Sequence, residues 1–487
     1  MKGCSIDVLA VYDSNGVFHT TPFHIKITRD KYSKSPRTKV KSLLEALARS
    51  QRKLIKTSGE VFSVSASEEF DHREMNCGKI EESVWKTRAS EDEGGVSTLI
   101  AAIDWIDVII NGTVAWNVIA CIDPAQEMVC FYDPATGEFT TDPSRKCLTS
   151  WGLKDGFNDI VVSYRLHNNK AIGATTKYSA IIEDNEAKQY SFGLFVYPVA
   201  NTKLAVIDID GTITIADVRG YVESVYLGVY TYVHDGIVNF LRVLQEQFKY
   251  SLVFLTSRPL AHLSETRQLL SHVRDVSIDE DGNKVTNHAL GLPRCPLFVN
   301  MKSIGKAVYG EVVSKDTTQF KWGVLHRINQ VFIKAGMRDK SVFRLGLGNK
   351  EADMMAYYFA GVPSGRQLLV NTSSEVNVWR PSADLMAFSK NIGRGARKES
   401  AAKGASVDQE DKFSSLAESS TRDMERVIKE GANIGSAGEC AITFKSYCDE
   451  HLLYYLDDLE MASRKTGSRS SFNSSTLGAP ESSSIAR

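Results

Sequence analysis

The sequence predicts an α/β domain with a parallel sheet, preceded by a β-rich domain and followed by a disordered tail. Three observations carry this. From 203 to about 380, apolar runs (LAVID at 204–208, SLVFLTS at 251–257, VFRLGLG at 342–348, QLLVN at 367–371) alternate with helical stretches, as parallel sheets require. From 98 to 200, short β-rich runs such as WIDVII, AWNVIACI, EMVCFYD, DIVVSYRL and YSFGLFVYPV alternate with turn residues, which argues for a sandwich. Beyond 381 the chain is rich in Ser, Ala, Gly and charge, a low-complexity composition.

The elements follow in order. Residues 3–27 read as two strands around a turn at Ser14-Asn15-Gly16. Residues 28–97 are polar and irregular, with a basic helical piece, and are expected to be an insertion. The greasy stretch 98–122 is long enough to suggest a membrane span, but Asp104, Asp107 and Asn111 lie inside it and would be expensive in a bilayer. Asn111-Gly112 marks a hairpin instead; the glycosylation sequon Asn111-Gly112-Thr113 is expected to be silent. The expected domains are therefore 1–200, a β-sandwich with its insertion; 201–380, the α/β domain; and 381–487, the tail. One candidate helix, 442–462, carries Phe444, Cys448, Leu452, Leu456 and Leu459 on one stripe and an acidic opposite face.

Composition narrows the function. A length of 487 residues with 43% hydrophobic content suits two or three domains with real cores. A formal net charge of −1 supplies no basic field for nucleic acid. Eight scattered cysteines without a CxxC pair read as reduced intracellular thiols. The start, MKGCSIDVLAVYD, lacks the pattern of a signal peptide.

The chemistry sits in LAVIDIDGTITIADVRG, 204–220, where a buried strand ends in Asp208 and Asp210, followed by Gly211 and Thr212. Two carboxylates this close repel unless a cation or a shared proton holds them. With no imidazole or thiolate in the stretch, a hard divalent ion fits, Mg²⁺ first. Downstream, SLVFLTSRP ends a strand in Thr256 and Ser257, then Arg258; hydroxyls there can donate to a phosphoryl oxygen or cap a helix. EVVSKDTTQFK supplies Lys315 and Lys321, either able to neutralise a phosphoryl group. LGLGNKEADMMAY ends a third strand in Gly348-Asn349, with Asp353 a turn later; this pair could complete an oxygen shell or simply cap a helix.

The ordered set of DxDGT, a hydroxyl strand end, a lysine and GNxxxD resembles the haloacid dehalogenase superfamily of phosphotransferases. Within it, DIDGTITIADV, YVHDGIVNFLRVLQEQFKYSLVFLTSRPL, EVVSKDTTQFK and LGNKEADMMAYYFAGVP are similar to the lipin catalytic domain. GCSIDVLAVYDSNGVFHTTPFHIKI resembles the amino-terminal lipin segment, IDVIINGTVAWNVIACI its later Ile-Asn-Gly hairpin, and LKDGFNDIVVSYRL the strand region just ahead of the catalytic motif. The resemblance implies a Rossmann-like catalytic domain against an immunoglobulin-like sandwich. It implies a Mg²⁺-dependent phosphatidate phosphatase that releases diacylglycerol at a membrane surface. Asp208 would be the nucleophile and Asp210 the acid and base; Thr256 and Lys321 would stabilise transferred charge. Gly211, Thr212, Ser257 and Arg258 would line the phosphate site. Asp208, Asp210 through its carbonyl, Asn349 and Asp353 would hold the metal. The expected setting is cytoplasmic, peripheral on endoplasmic reticulum or nuclear membrane, with phosphatidic acid as partner and no transmembrane helix. A soluble-phosphate phosphatase and a non-catalytic lipid-binding module are the alternatives. The family begins with an amphipathic helix, whereas the first matched strand here begins almost at Met1; either the helix is lost or the true start lies upstream of Met1. The basic insertion (Lys31, Lys34, Arg37, Lys39, Lys41, Arg49, Arg52, Lys53, Lys56) is the electrostatic candidate for membrane contact, and helix 442–462 is expected to dock on protein.

Overall fold

The structure is a computed structural model, and it describes residues 2–28, 105–115, 118, 120–123, 128–133, 138–164, 188–278, 284–301, 314–339, 341–387 and 438–471. The insertion expected over 28–97 lies outside these residues except for Thr28, and so do 388–437 and 472–487 of the expected tail.

The first domain is one sheet. Strands β1 (Lys2–Ser5), β2 (Val8–Tyr12), β3 (Phe18–Thr20), β4 (Ile25–Thr28), β5 (Trp105–Ile110), β6 (Thr113–Val114), β7 (Ala120–Asp123), β8 (Met128–Asp133), β9 (Glu138–Thr140), β10 (Gly156–Tyr164) and β11 (Lys188–Pro198) share it. Its order is β1-β4-β8-β7-β5-β10-β11-β2-β3, with β6 on β5 and β9 on β8. Only Ile6 and Asp7 separate β1 from β2, yet the two lie near opposite ends of that order. In a flat sheet they would stand roughly 30 Å apart, so the sheet must curl back on itself. Ser5 Oγ of β1 accordingly donates to Ser191 O of β11 (3.2 Å), and the Phe23 ring meets Phe192 at 6.2 Å. The sequence anticipates two facing sheets; here hydrogen bonds join all eleven strands, and the curl brings one apolar face around a single core. The Asn111-Gly112 hairpin forms between β5 and β6, with positive φ at both residues (51° and 83°), as a two-residue turn between twisted strands requires.

The second domain has the order β16-β13-β12-β17-β18-β19-β20, from β12 (Leu204–Ile207), β13 (Ser251–Pro259), β16 (Leu297–Asn300), β17 (Phe343–Gly348), β18 (Gln367–Val370), β19 (Val376–Pro381) and β20 (Gly438–Phe444). The first five are parallel neighbours and the last two run antiparallel. A separate hairpin, β14 (Arg274–Ile278) with β15 (Lys284–Gly291), stands apart from the sheet. Every residue of β12 is buried, which suits a central strand covered on both faces. The helices are α1 (Arg145–Thr149) in the first domain, then α2 (Asp217–Val222), α3 (Ile237–Glu246), α4 (Leu263–His272), α5 (Ser314–Lys334), α6 (Glu351–Phe359) and α7 (Glu450–Ser471). A π-helical turn, Glu223–Leu227, extends α2. No helix among the described residues is long and apolar enough to cross a membrane.

Two expectations are corrected. The α/β domain does not end at 380, because β20 pairs with β19 and closes the sheet edge. The helix expected over 442–462 is a strand to Phe444 and a helix from Glu450. Phe444, Leu452 and Leu456 are buried in the domain core; Cys448 is exposed. Composition misleads here because a short amphipathic segment gains its stability from the surface it covers. The two domains are stapled by buried Asp7. Its Oδ1 accepts from Gly193 N (2.9 Å) and Arg267 Nη2 (2.7 Å), and its Oδ2 from Leu297 N (2.9 Å).

Candidate active site

The site lies at the carboxyl ends of β12, β13 and β17, where open α/β sheets bind ligands. Asp208 N still pairs with Leu347 O (2.9 Å) as β12 ends. The chain then turns tightly, with Ile213 N and Thr214 N both donating to Ile209 O (2.9 and 3.1 Å). Gly211 takes a φ of 78°, a conformation that glycine adopts freely. A Cβ there would fall 1.9 Å from Asn349 Nδ2. Glycine therefore allows the loop after β17 to close on the loop after β12. Gly211 N donates to Thr214 Oγ1 (3.0 Å), so the turn itself uses this amide.

Asp208, Lys321 and Asp353 form one buried charged cluster. Lys321 Nζ, from α5, lies 2.6 Å from Asp208 Oδ1 and 2.6 Å from Asp353 Oδ1. All three residues are buried, Asp208 with 4% of its surface exposed. Burial pushes the Asp208 carboxyl up to about 8, against the pull of Lys321 and with a further push from Asp353. Burial also disfavours the Lys321 charge, but Asp208 and Asp353 outweigh it and raise its pKa. Asp353 is held from its other side: its Oδ2 accepts from Asn349 N (3.3 Å) and Lys350 N (3.2 Å) at the start of α6. Gly348 permits this, since a Cβ there would sit 2.6 Å from Asp353 Cβ.

Asp210 occupies a different environment. Arg258 grips it as a fork, Nε to Oδ2 at 2.8 Å and Nη2 to Oδ1 at 2.7 Å. Thr256 Oγ1 adds a third donor, to Oδ2 at 3.3 Å. Arg258 also reaches Ser224 Oγ (3.0 Å) and Thr266 Oγ1 (3.5 Å). The expectation that Arg258 lines the phosphate site is therefore corrected: this buried guanidinium spends its donors on Asp210 and its supports. A forked pair of this kind fixes the orientation of the carboxylate.

Oxygen donors that a cation could use are also present. Asn349 Nδ2 donates to Asp217 Oδ1 (2.9 Å), while Asn349 Oδ1 is buried without a hydrogen-bond partner. Buried acceptors are normally paired. An orphaned amide oxygen beside a carboxyl raised by burial fits a hard, oxygen-ligated cation. Among the described residues no group of three or more His, Cys, Asp or Glu side chains is arranged as a metal site. A cation here would depend on Asp208, Asn349 Oδ1 and the backbone carbonyl of Asp210. Both Asp353 oxygens bond within the protein, Oδ1 to Lys321 and Oδ2 to the α6 amides. Ser257 Oγ and Thr212 Oγ1 are buried hydroxyls without partners. The Lys315 side chain lies outside the described residues.

Other supports had no motif of their own. Lys350 Nζ pairs with Asp217 Oδ2 (3.1 Å). His234 Nε2 faces Gly211 O (3.4 Å) and Nδ1 faces Ser374 Oγ (2.8 Å). Burial lowers the His234 pKa, so a neutral ring donating from Nε2 accounts for both contacts. Tyr447 Oη donates to Thr212 O (3.1 Å). The carbonyls of the two residues after Asp210 are thus held by a histidine near α3 and a tyrosine between β20 and α7. The sequence signal for Asp217 and His234 lay in the lipin-like runs that contain them; none pointed to Tyr447. A cavity of about 760 Å³, lined by Phe18, Arg145, His326 and Lys334 among others, lies away from these residues at the domain junction.

The chain is similar to known proteins of one kind. The chain is 26% identical to phosphatidate phosphatase PAH1 of Arabidopsis thaliana over 237 residues, covering 49% of this chain and 22% of that protein. It is 30% identical to human phosphatidate phosphatase LPIN2 over 176 residues, 36% of this chain and 18% of the relative. It is 28% identical to phosphatidic acid phosphohydrolase 1 of Saccharomyces cerevisiae over 181 residues, 36% and 19% respectively. The chain thus spans about a fifth of the length of these relatives. The family model described as LNS2 (Lipin/Ned1/Smp2) matches residues 140–390, which include every candidate catalytic side chain. Over half the chain is matched, and the protein belongs to this lipin-type LNS2 family.

Proposed function

We propose that this chain is a Mg²⁺-dependent phosphatidate phosphatase, releasing phosphate and diacylglycerol from phosphatidic acid. The observation that carries the reading is the buried Asp208–Lys321–Asp353 cluster beside the orphaned Asn349 Oδ1. A nucleophile, a fixed counter-charge and a spare oxygen ligand meet there. The names of the relatives supply the substrate class.

In this reading Asp208 attacks phosphorus and carries an aspartyl-phosphate, while the diacylglycerol oxygen leaves. Lys321, locked by Asp353, balances charge on the equatorial oxygens. Ser257 Oγ and Thr212 Oγ1 are free to donate. Bound Mg²⁺, held by Asp208, Asn349 and the Asp210 carbonyl, would supply Lewis-acid stabilisation of the same charge. Asp210 protonates the leaving oxygen and later activates water. Arg258 and Thr256 hold the Asp210 carboxylate in a fixed orientation beside Asp208. The closure of Gly211 against Asn349 keeps both aspartates on one rigid turn.

Phosphate release from phosphatidic acid in mixed micelles, with and without Mg²⁺, tests the proposal. Asp208→Asn should lower the rate by about 10⁴-fold or more. Activity on a soluble phosphate ester but not on phosphatidic acid would instead support the soluble-substrate alternative. Both aspartates are in place, which argues against a non-catalytic module.

A further inference from the structure

The described surface is unusual in one place. Five of its exposed large apolar side chains fall within twelve residues: Val218, Val222, Tyr226, Leu227 and Val229. Val218 is 76% exposed, and Tyr226 and Leu227 are each 65% exposed. The remaining ones, such as Val285, Met386 and Tyr454, are scattered along the chain. Single exposed apolar residues need no explanation, but a concentrated run marks a contact surface.

Its position is fixed by the active site. Asp217, one residue before Val218, is bonded to Asn349 and Lys350. Ser224, in the middle of the run, accepts from the same Arg258 that forks Asp210. The run therefore forms a rim rigidly joined to the catalytic carboxylates. Its two charged residues are paired with each other at the surface: the exposed Arg219 bonds Glu223 (2.7 Å) and stacks over the Tyr232 ring at 4.2 Å. The outward face thus offers apolar and aromatic groups, with no unmatched charge for a charged protein partner.

We infer that residues 218–229 seat this enzyme on a lipid surface, with the apolar side chains entering the headgroup–acyl boundary around the site mouth. The inference rests on the proposed lipid substrate and adds the surface through which it arrives. Asp208 is buried, so the phosphoryl group must come down to it while the acyl chains stay outside. The apolar rim is where those chains would pass. Rings with a polar tip, such as Tyr226, suit that boundary. Of the two segments considered from the sequence, α7 is docked through Leu452 and Leu456, and the basic insertion lies outside the described residues.

The test is flotation of the full chain with phosphatidylcholine vesicles that contain no phosphatidic acid, so that binding is read apart from turnover. Leu227→Ser combined with Val229→Ser should lower vesicle partitioning about tenfold or more and leave hydrolysis of a water-soluble short-chain phosphate ester unchanged. Leu227→Trp should strengthen partitioning and shift its added fluorescence to the blue on vesicles. Partitioning of the double variant equal to the parent, or no spectral change for Leu227→Trp, would overturn the inference. So would a dimer in solution that the same double substitution dissociates, since the rim would then seat a second copy. If the chain floats through this rim but releases no phosphate from phosphatidic acid, the substrate assignment fails and the surface stands.

Discussion

The two ends of the parallel sheet each carry a buried charge cluster, and the clusters are built on opposite plans. At the amino ends of β12, β13 and β18 stand Lys203, Tyr250 and Arg366, all converging on Glu460 of α7. Lys203 Nζ reaches Glu460 Oε2 at 2.6 Å, Tyr250 Oη donates to Oε1 at 2.6 Å, and Arg366 Nη1 also bonds Oε1. Arg366 Nη2 is taken up by Leu459 O and Ser463 Oγ. Burial works against the Glu460 charge, but the bonds from Lys203, Tyr250 and Arg366 win and hold its pKa down to about 2. At the carboxyl ends the balance reverses. Asp208 rises to about 8, and Asn349 Oδ1, Ser257 Oγ and Thr212 Oγ1 lack partners. A satisfied network clamps an element in place, whereas unpaired buried polar groups call for another explanation, such as the bound cation and phosphate proposed above.

Breaking the Asp208–Lys321–Asp353 cluster should have the largest effect. Lys321→Ala leaves Asp208 and Asp353 buried without their shared cation, at a cost of about 3–5 kcal/mol in the metal-free protein. Mg²⁺ should raise the melting temperature more in this variant than in the parent; equal shifts would dissociate Lys321 from the cation site. Next comes Arg258→Lys, which keeps the charge but loses the fork. It should lower kcat by about 10- to 100-fold with little change in KM; an unchanged kcat would mean that the fork does not position Asp210.

The pH dependences should run in opposite directions. Asp208 sits above its unfolded pKa of about 3.9, so its stabilising protonated form is complete below that value and is lost as pH rises through about 8. In chelator, Asp208→Asn should therefore gain stability relative to the parent between about pH 4 and 8. Glu460 sits below its unfolded value, so its contribution is present above about pH 4.5 and lost as pH falls towards 2. Glu460→Gln should melt several degrees lower than the parent at pH 7 and lose that difference in acid, as followed by circular dichroism. Parallel pH profiles for the two variants would erase the contrast. The smallest effect is expected for Tyr447→Phe, which deletes one hydrogen bond to the catalytic turn, worth about 1 kcal/mol. A roughly fivefold loss of kcat with an almost unchanged melting temperature would identify Tyr447 as a positioning residue; equal losses in stability and rate would make it merely structural.

Much of the molecule was legible from local pattern. The strands at 204–208, 251–257, 342–348 and 367–371 and the Asn111-Gly112 hairpin form where apolar runs and turn residues predict them, because burial and backbone sterics act over a few neighbours. Asp208, Asp210, Thr256, Lys321, Asn349 and Asp353 do converge, since strand ends carry four of them to one edge of the sheet and α5 and α6 bring Lys321 and Asp353 to it. Partner choice was hidden. Arg258 lies two residues from Thr256 and looks equally able to bind phosphate, yet its guanidinium turns back onto Asp210. Asp353 looks like a ligand, yet both its oxygens are used within the protein.

The chain beyond 381 shows the same divide on a larger scale. Its composition resembles a solvated tail, but Phe444, Tyr447, Leu452, Leu456 and Glu460 fit a groove, a carbonyl and a cation pair that belong to distant residues. Local sequence sets which segments can be strands or helices and which side chains can carry chemistry, because those preferences are short-ranged. Which charges meet, which oxygens stay open and which apolar face remains uncovered depend on contacts between residues as far apart as Thr212 and Tyr447, and these exist only once the sheet has closed.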